Sequence, residues 1–420
     1  MKKRLHKIYL VFALFSCFAL NSCIKDRCKK TTTYTILKPV YKNWDEVKLD
    51  IKSSPARSVS HPGKLYIKGN FIFLNEIDKG VHIIDNSNPA NPKNITFINI
   101  PGNVDIAVKD DILYADIYTR LLAIDIANPL QAVITKVTES VFPQRVYNNG
   151  FYADSSKIIV DWLKKDTTVN EDCSISFSGG GAFLISAIAD SKSYSGTTIN
   201  VPGISGSLSR FTITNSRLYT IDFERLKVFN VDVANDPLQV NSMSTNNWNA
   251  ETIFPFKDKL FIGAQTGISI FNIANVNIPA YEGGFGHVRI CDPVIADDNY
   301  AYVTLWSESR CAGNLNELEV LDISNIKTPI LVKTYQLKSP HGLSKDGNLL
   351  FICDGSAGLK IYNAADVQNL QLLKQVNNIN AFEVIAYNKN AIVVATDGLY
   401  QYDYSNPANI SLLSKISINN

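Results

Sequence analysis

About four apolar residues, then Asp or Asn, then a Ser-Asn-Pro turn: this phrase recurs along the chain, most plainly as VHIIDNSNPANP from Val81 to Pro92. It reads as a short strand running into a turn. Asp and Asn accept hydrogen bonds from backbone about two residues on, and proline fixes φ and cannot donate to a ladder, so the strand stops there. Further copies end at Pro129, Pro237, Asn275, Asn325, Asp366 and Pro407, and a worn copy, FLISAIAD, ends at Asp190. Taking the residue after each apolar run as a mark gives Asp85, Asp125, Ser186, Asn230, Asn272, Asp322, Asn363 and Asp403. The steps between marks are 40, 61, 44, 42, 50, 41 and 40 residues, so one unit repeats with two insertions.

One unit resolves into four short strands. In the second copy these are Val104 to Val108, Ile112 to Ile117, Leu121 to Ile126 and Ala132 to Thr138, separated by turns such as Lys109-Asp110-Asp111. Four strands in about 40 residues make the blade of a β-propeller. The apolar runs are continuous where a sandwich strand would alternate, as expected when each sheet is covered on both faces. The last copy is as apolar as the inner ones, which suits a closed ring better than an open stack needing polar caps. Eight marks predict an all-β propeller of eight four-stranded blades. Seven is the alternative if the worn copy is an excursion from a neighbour. That copy carries LKKDTTVNEDC and Ser178-Gly179-Gly180-Gly181, and the sixth carries Glu308 to Glu317 at an equivalent place. Equivalent insertions emerge on one face, the usual binding face of repeat proteins.

The strand, the IDISNP-type turn and the period resemble the LVIVD-repeat proteins, bacterial β-propellers of the secreted or lipid-anchored kind found in the Bacteroidetes. The phrases marked by Asp85, Asp125, Asp322 and Asp403 carry the resemblance, which covers residues 63–420; Asn replaces Asp at Asn272 and Asn363. The family implies a fold and no general reaction.

The N-terminus reads as an address. Lys2, Lys3, Arg4 and Lys7 precede an apolar run from Ile8 to Leu20, too short to span a bilayer and suited to a secretory signal. Leu20-Asn21-Ser22-Cys23 resembles the lipobox of bacterial lipoproteins, so residues 1–22 are expected to be a signal peptide and Cys23 the lipidated residue. Ile24 follows it, and an outer-membrane or cell-surface location in the envelope is expected. Residues 23–62 then form a tether and lead-in, with an extended segment around Tyr34 to Val40 and about two helical turns over WDEVKLDI, and residues 63–420 form the propeller.

Without residues 1–22 the chain carries 37 basic and 39 acidic groups, which gives no electrostatic reason to expect nucleic acid. An envelope location permits disulfides. Cys291 and Cys311, one opening the sixth copy and one in its insertion, are the candidate pair, and a bridge across that loop would add roughly 3 kcal/mol. Cys353 lies in the apolar LLFICDG and reads as a core thiol, while Cys28 and Cys173 are left unassigned. No spacing suggests a metal site, and no cofactor is expected.

The first strand of each blade lines a propeller's channel. Aligning the units puts Glu251, Asp292, His341 and Glu383 in one column, Asp105 and Arg210 one residue further on, and Arg145 near the same place. Such a ring either holds a small polar ligand, with His341 and a carboxylate as base and acid, or pairs with itself at a wet channel mouth. The mixed signs suit mutual pairing better than a calcium cage. GISGS (Gly203 to Ser207) opens no helix and so is no phosphate cradle, and Trp248 and Trp306 are candidates to stack on a sugar ring or to pack between blades. The expected function is a non-catalytic module that joins the membrane through its lipid and binds an envelope protein or glycan. The alternative is a channel-centred hydrolase or lyase acting on a sugar or lactone.

Overall fold

The computed structural model describes residues 29–145, 147, 151–172, 204–287, 293–307 and 315–418. Among them are seven blades of four consecutive antiparallel strands, blade 1 (62–99), blade 2 (106–138), blade 3 (211–244), blade 4 (250–286), blade 5 (294–336), blade 6 (343–376) and blade 7 (381–417), and the sheet of blade 1 is widened to six strands by one on each edge. The fold is an all-β propeller with seven blades.

The repeated phrase does in every blade what its chemistry predicts. The side-chain oxygen of Asp85, Asp125, Asn230, Asn272, Asp322, Asn363 or Asp403 accepts the backbone N–H two residues on, at 2.7 to 3.0 Å. Asn makes the bond as well as Asp because only the shared side-chain oxygen is needed. Each outermost strand then carries a β-bulge at the same point of its pairing with the third strand, as between Ile83 and Ile84 in blade 1 and between Gln401 and Tyr402 in blade 7. A bulge adds twist locally, so the repeat fixes the shape of a blade as well as its turns.

The core lies between the blades. Second strands such as Ile112–Ile117 and Asn390–Ala395 are buried at every residue, which accounts for their unbroken apolar runs. Blades 7 and 1 share one apolar cluster containing Leu65, Ile72, Ile385 and Val394, and Asn86 and Gln401 exchange amide hydrogen bonds at 3.0 and 2.7 Å, closing the ring. Tyrosine hydroxyls join other neighbours by donating to backbone carbonyls: Tyr66 to Val108 and Tyr219 to Val276.

The expected eight blades are corrected to seven at the worn copy. Tyr114 of blade 2 donates to the carbonyl of Ala234 in blade 3 at 2.6 Å, and Phe142 stacks on Phe211 with ring centres 5.5 Å apart. Among the described residues these two blades are direct neighbours. The strand Ile158–Asp172, expected within a blade, pairs instead with Lys29–Lys42 in a two-stranded ribbon. The mark Ser186 and the glycines Gly179 to Gly181 lie outside the described residues.

The chain divides into two compact units, whose described residues are 29–39, 147, 151 and 162–172 in the first and 40–145, 152–161 and 204–418 in the second. Within the first, Thr35 donates to Asp166 at 2.7 Å, and Tyr147, Phe151 and Trp162 meet edge to face. Within the second, the lead-in is ordered against the blades. The helix Trp44–Asp50 begins where Glu46 caps the N–H of Asn43 at 2.7 Å, and it buries Val47. Ser53–Pro55 adds a strand to the outer edge of blade 1, and Val59 bridges Ile418 at the end of blade 7. Arg57 and Ser60 bond Glu76, which also accepts from His82 Nε2 at 2.8 Å. Burial alone would raise the Glu76 pKa, yet the bonds from His82, Ser60 and Arg57 bring it down to about 2. His82 is therefore a buried staple, with Asn94 donating to its Nδ1 at 3.1 Å.

Candidate functional site

Strand pairing sets which residues stand at one level around the axis. The carbonyls of Asp105, Arg210, Pro293 and Gly342 accept from Asp116, Ile221, Thr304 and Cys353, each the fifth residue of its blade's second strand. Thr252 and Glu383 pair with Gly263 and Val394 at the same position, and Lys64 precedes Leu65 in the equivalent place. The level is thus Lys64, Asp105, Arg210, Thr252, Pro293, Gly342 and Glu383. Asp105 and Arg210, expected one residue beyond Glu383, share its level. Glu251 and His341 stand one residue before it. In each of these blades the level residue stands eleven positions before its second-strand partner, as Asp105 before Asp116 and Glu383 before Val394, a spacing that sets Glu383 with Asp105 and Arg210.

Passing through blades 7, 1, 2 and 3, the level reads Glu383, Lys64, Asp105, Arg210, acidic and basic residues in turn. Lys64 is 0% exposed, and its Nζ lies 3.3 Å from Asp105 Oδ2. Arg210 Nε lies 3.7 Å from the same oxygen, and its Nη2 3.7 Å from Asp116 Oδ2. Asp116 also accepts from Asn103 and from the N–H groups of Val104 and Asp105, at 2.7 to 2.8 Å. Burial pushes the Asp116 pKa up against the pull of Arg210 and Arg145. Burial likewise pushes Lys64 down to about 8, with Asp105 opposing, and pushes Glu383 up to about 8 against the N–H groups of Val384, Leu208 and Ser207 and the charge of Lys64.

The segment before blade 3 fills the axis at this level. Ile204–Ser205 pairs antiparallel with Ile67 and Tyr66 at the inner edge of blade 1. Ser207 Oγ accepts from Leu343 N in blade 6 at 2.8 Å, Leu208 N donates to Glu383 in blade 7, and Arg210 N donates to Asp105 at 2.9 Å. The carbonyl of Ser209 accepts from Ile253 N in blade 4 at 2.6 Å, and Ser207, Leu208 and Ser209 are buried. Glu383 is held between two backbones. A Cβ on Gly206 would lie 2.2 Å from its Cδ, and one on Gly342 2.3 Å from its Oε1.

Of the remaining candidates, Arg145 reaches this centre through its charge on Asp116, while Glu251 and His341 are bonded within their own blades. Glu251 accepts from Asn249 and Gln265 at 3.2 and 2.9 Å. His341 donates from Nδ1 to Ser339 O at 2.6 Å and lies 4.3 Å from the Trp306 ring. Trp306 is 1% exposed, so it packs and offers no face to a sugar, whereas Trp248 is 53% exposed. Arg145 bonds Asp78 and the carbonyl of Gly102 and covers Tyr118. Cys353 is a buried free thiol whose pKa burial raises well above the ordinary value. Asp292, Cys23, Cys28, Cys173, Cys291 and Cys311 lie outside the described residues. Among the described residues no group of three or more His, Cys, Asp or Glu is placed to hold a metal ion.

Sequence reading missed Lys64, Asp116 and the axial segment. Lys64 has a signal, a lone charge in PGKLYIK at the start of a first strand. GISGS was weighed only as a phosphate loop, although Gly206 is where a backbone must approach a side chain closely.

Residues 62–97 and 290–336 match the family model of the LVIVD repeat. The chain carries LVIVD repeats. The two matches contain the phrases marked by Asp85 and Asp322, and the seven Asx turns above extend the same structural unit around the propeller. Among solved structures, the periplasmic gluconolactonase of Pseudomonas aeruginosa is similar at 9% identity and a TM-score of 0.54, covering 85% of this chain and 96% of that one. A candidate 6-phosphogluconolactonase of Bacteroides uniformis is similar at 8% identity and a TM-score of 0.52, covering 86% and 98%. A Lactobacillus plantarum protein is similar at 10% identity and a TM-score of 0.51, covering 85% and 97%. At such identities the likeness extends to the fold alone. A search of curated proteins finds no match.

Proposed function

We propose that this LVIVD-repeat propeller is a non-catalytic binding module of the cell envelope, anchored through a lipid on Cys23 and engaging an envelope protein or glycan. The observation that carries the reading is the filled axis. Ile204–Arg210 occupies the level at which the first strands converge, and Lys64, Asp105, Arg210, Asp116 and Glu383 are engaged with one another or with backbone. A hydrolytic site needs an open space beside its acid and base. The exposed Trp248 gives the module a surface for a partner.

A second reading, hydrolysis of a sugar lactone, draws on His341, whose Nδ1 is fixed by a carbonyl as in an oriented general base. The two separate in one assay. Purified protein is given glucono-δ-lactone, and ring opening is followed by acid release. The binding reading expects the rate of buffer; turnover abolished by His341→Ala would overturn it. The anchor has its own test: a labelled fatty acid should mark the full chain in cells and not Cys23→Ala, and equal labelling would sink the assignment.

A further inference from the structure

We infer that Phe223 and Trp248 form a glycan-binding platform where blade 3 meets blade 4, on which the pyranose rings of a β-linked oligosaccharide stack. The inference rests on the binding-module reading and names the partner as a glycan. The two side chains are 51% and 53% exposed. Among the described residues, every other exposed large apolar side chain of the seven blades lies on a fourth strand or on the turn leading into it, as Leu238, Ile330 and Leu412 do. Phe223 and Trp248 depart from that pattern. Phe223 sits in the turn between the second and third strands of blade 3, and Trp248 in the connection from blade 3 to blade 4. Backbone bonds tie these two loops together: Ala250 N donates to Phe223 O at 3.0 Å, and Thr245 N to Glu224 O at 2.8 Å.

Both loops are braced from beneath. Buried Asp222 accepts the N–H groups of Glu224 and Arg225 at 3.2 and 2.9 Å and pairs with Lys227, which fixes the turn carrying Phe223. Thr245 Oγ1 donates to Asn247 O at 2.9 Å, and Asn247 Nδ2 to Gly267 O of blade 4 at 3.2 Å. Asn246 and Asn249, on either side of Trp248, hold left-handed backbone at φ 59°, which Asn adopts more readily than most residues. An aromatic ring held out to solvent in this way loses little freedom on binding. The surroundings select the occupant. A protein hot spot sets its aromatic anchor among other apolar groups, whereas the exposed neighbours along these loops are Glu224, Arg225, Ser244 and Asn246. A β-linked pyranose with equatorial substituents has the matching chemistry: C–H faces that pack on an aromatic ring, and a rim of hydroxyls for carboxylate, guanidinium and amide groups.

The test titrates the full chain with cellohexaose and, separately, with chitohexaose in a calorimeter. Saturable binding to at least one is expected, weakened about tenfold in Trp248→Ala and about threefold in Phe223→Ala, and largely kept in Trp248→Tyr, which retains an aromatic face. Both positions are half exposed, so the variants should fold, and unchanged thermal midpoints check that they do. Absence of binding to both sugars overturns the inference, as does binding that Trp248→Ala leaves unchanged. Capture of an envelope protein that depends on Trp248, with neither sugar bound, would overturn the glycan and keep the binding-module reading. Lactone turnover is read separately, so its appearance would overturn the binding-module reading and leave the sugar titrations intact.

Discussion

Gly206 and Glu383 are in backbone-to-carboxyl contact although 177 positions apart: a Cβ on the glycine would stand 2.2 Å from the carboxyl carbon. The contact closes the axis, because Glu383 belongs to the last blade and Gly206 to the segment that crosses to blade 1. Gly206→Ala should cost about 1–3 kcal/mol in urea unfolding through overpacking. Glu383→Ala should relieve much of that in the double variant, since the two residues share one space. Additive single effects would show that the axis relaxes freely.

The buried charges set a pH profile. Glu383 titrates at about 8 in the fold and near the ordinary carboxylate value when unfolded, so the folded state holds the extra proton between them. Stability is then full below about pH 4.5 and falls as pH rises to 8, at up to about 1.4 kcal/mol per pH unit. Lys64 has its pKa lowered to about 8, so the unfolded chain holds the extra proton above that, and stability recovers towards pH 10.5. A minimum near pH 8 is expected in denaturant midpoints. Glu383→Gln should remove the falling limb and Lys64→Met the rising one, and a flat wild-type profile would contradict the burial of these groups.

The Asx turns separate two chemistries that look alike. Asp322→Ala should cost about 1 kcal/mol, because the N–H of Ser324 loses its 2.8 Å partner. Asp322→Asn should cost only a few tenths, since Asn230, Asn272 and Asn363 already make the same bond in their blades. Equal losses in guanidinium titrations would mean that the negative charge, and not the turn bond, is what the phrase supplies.

The junction of blades 2 and 3 can be probed at one hydroxyl. Tyr114→Phe leaves the Ala234 carbonyl without its donor and should cost about 1 kcal/mol. The same substitution at Tyr219, whose hydroxyl bonds Val276 across the next junction, should cost a similar amount. A neutral Tyr114→Phe beside a costly Tyr219→Phe would show that blades 2 and 3 are not direct neighbours.

The sequence by itself determined what is local. An Asx turn spans two residues, a hairpin a few more, and a fully covered strand shows as an unbroken apolar run, so the blade, its four strands and its period are written in each copy. Only the tertiary structure decided how many copies become blades, because Ile158–Asp172 could pair with neighbours in a blade or with Lys29–Lys42, and local patterning does not choose between partners. It also decided which residues share the axis. Alternation of side chains turns a slip of one residue in aligning the copies into a change of face, and it is the strand pairing of Thr252 and Glu383 that fixes their level. The axial segment was the least legible part. Its meaning lies in contacts with five blades, and the sequence around Gly206 differs little from any small polar loop until Glu383 is brought against it by the closing of the ring.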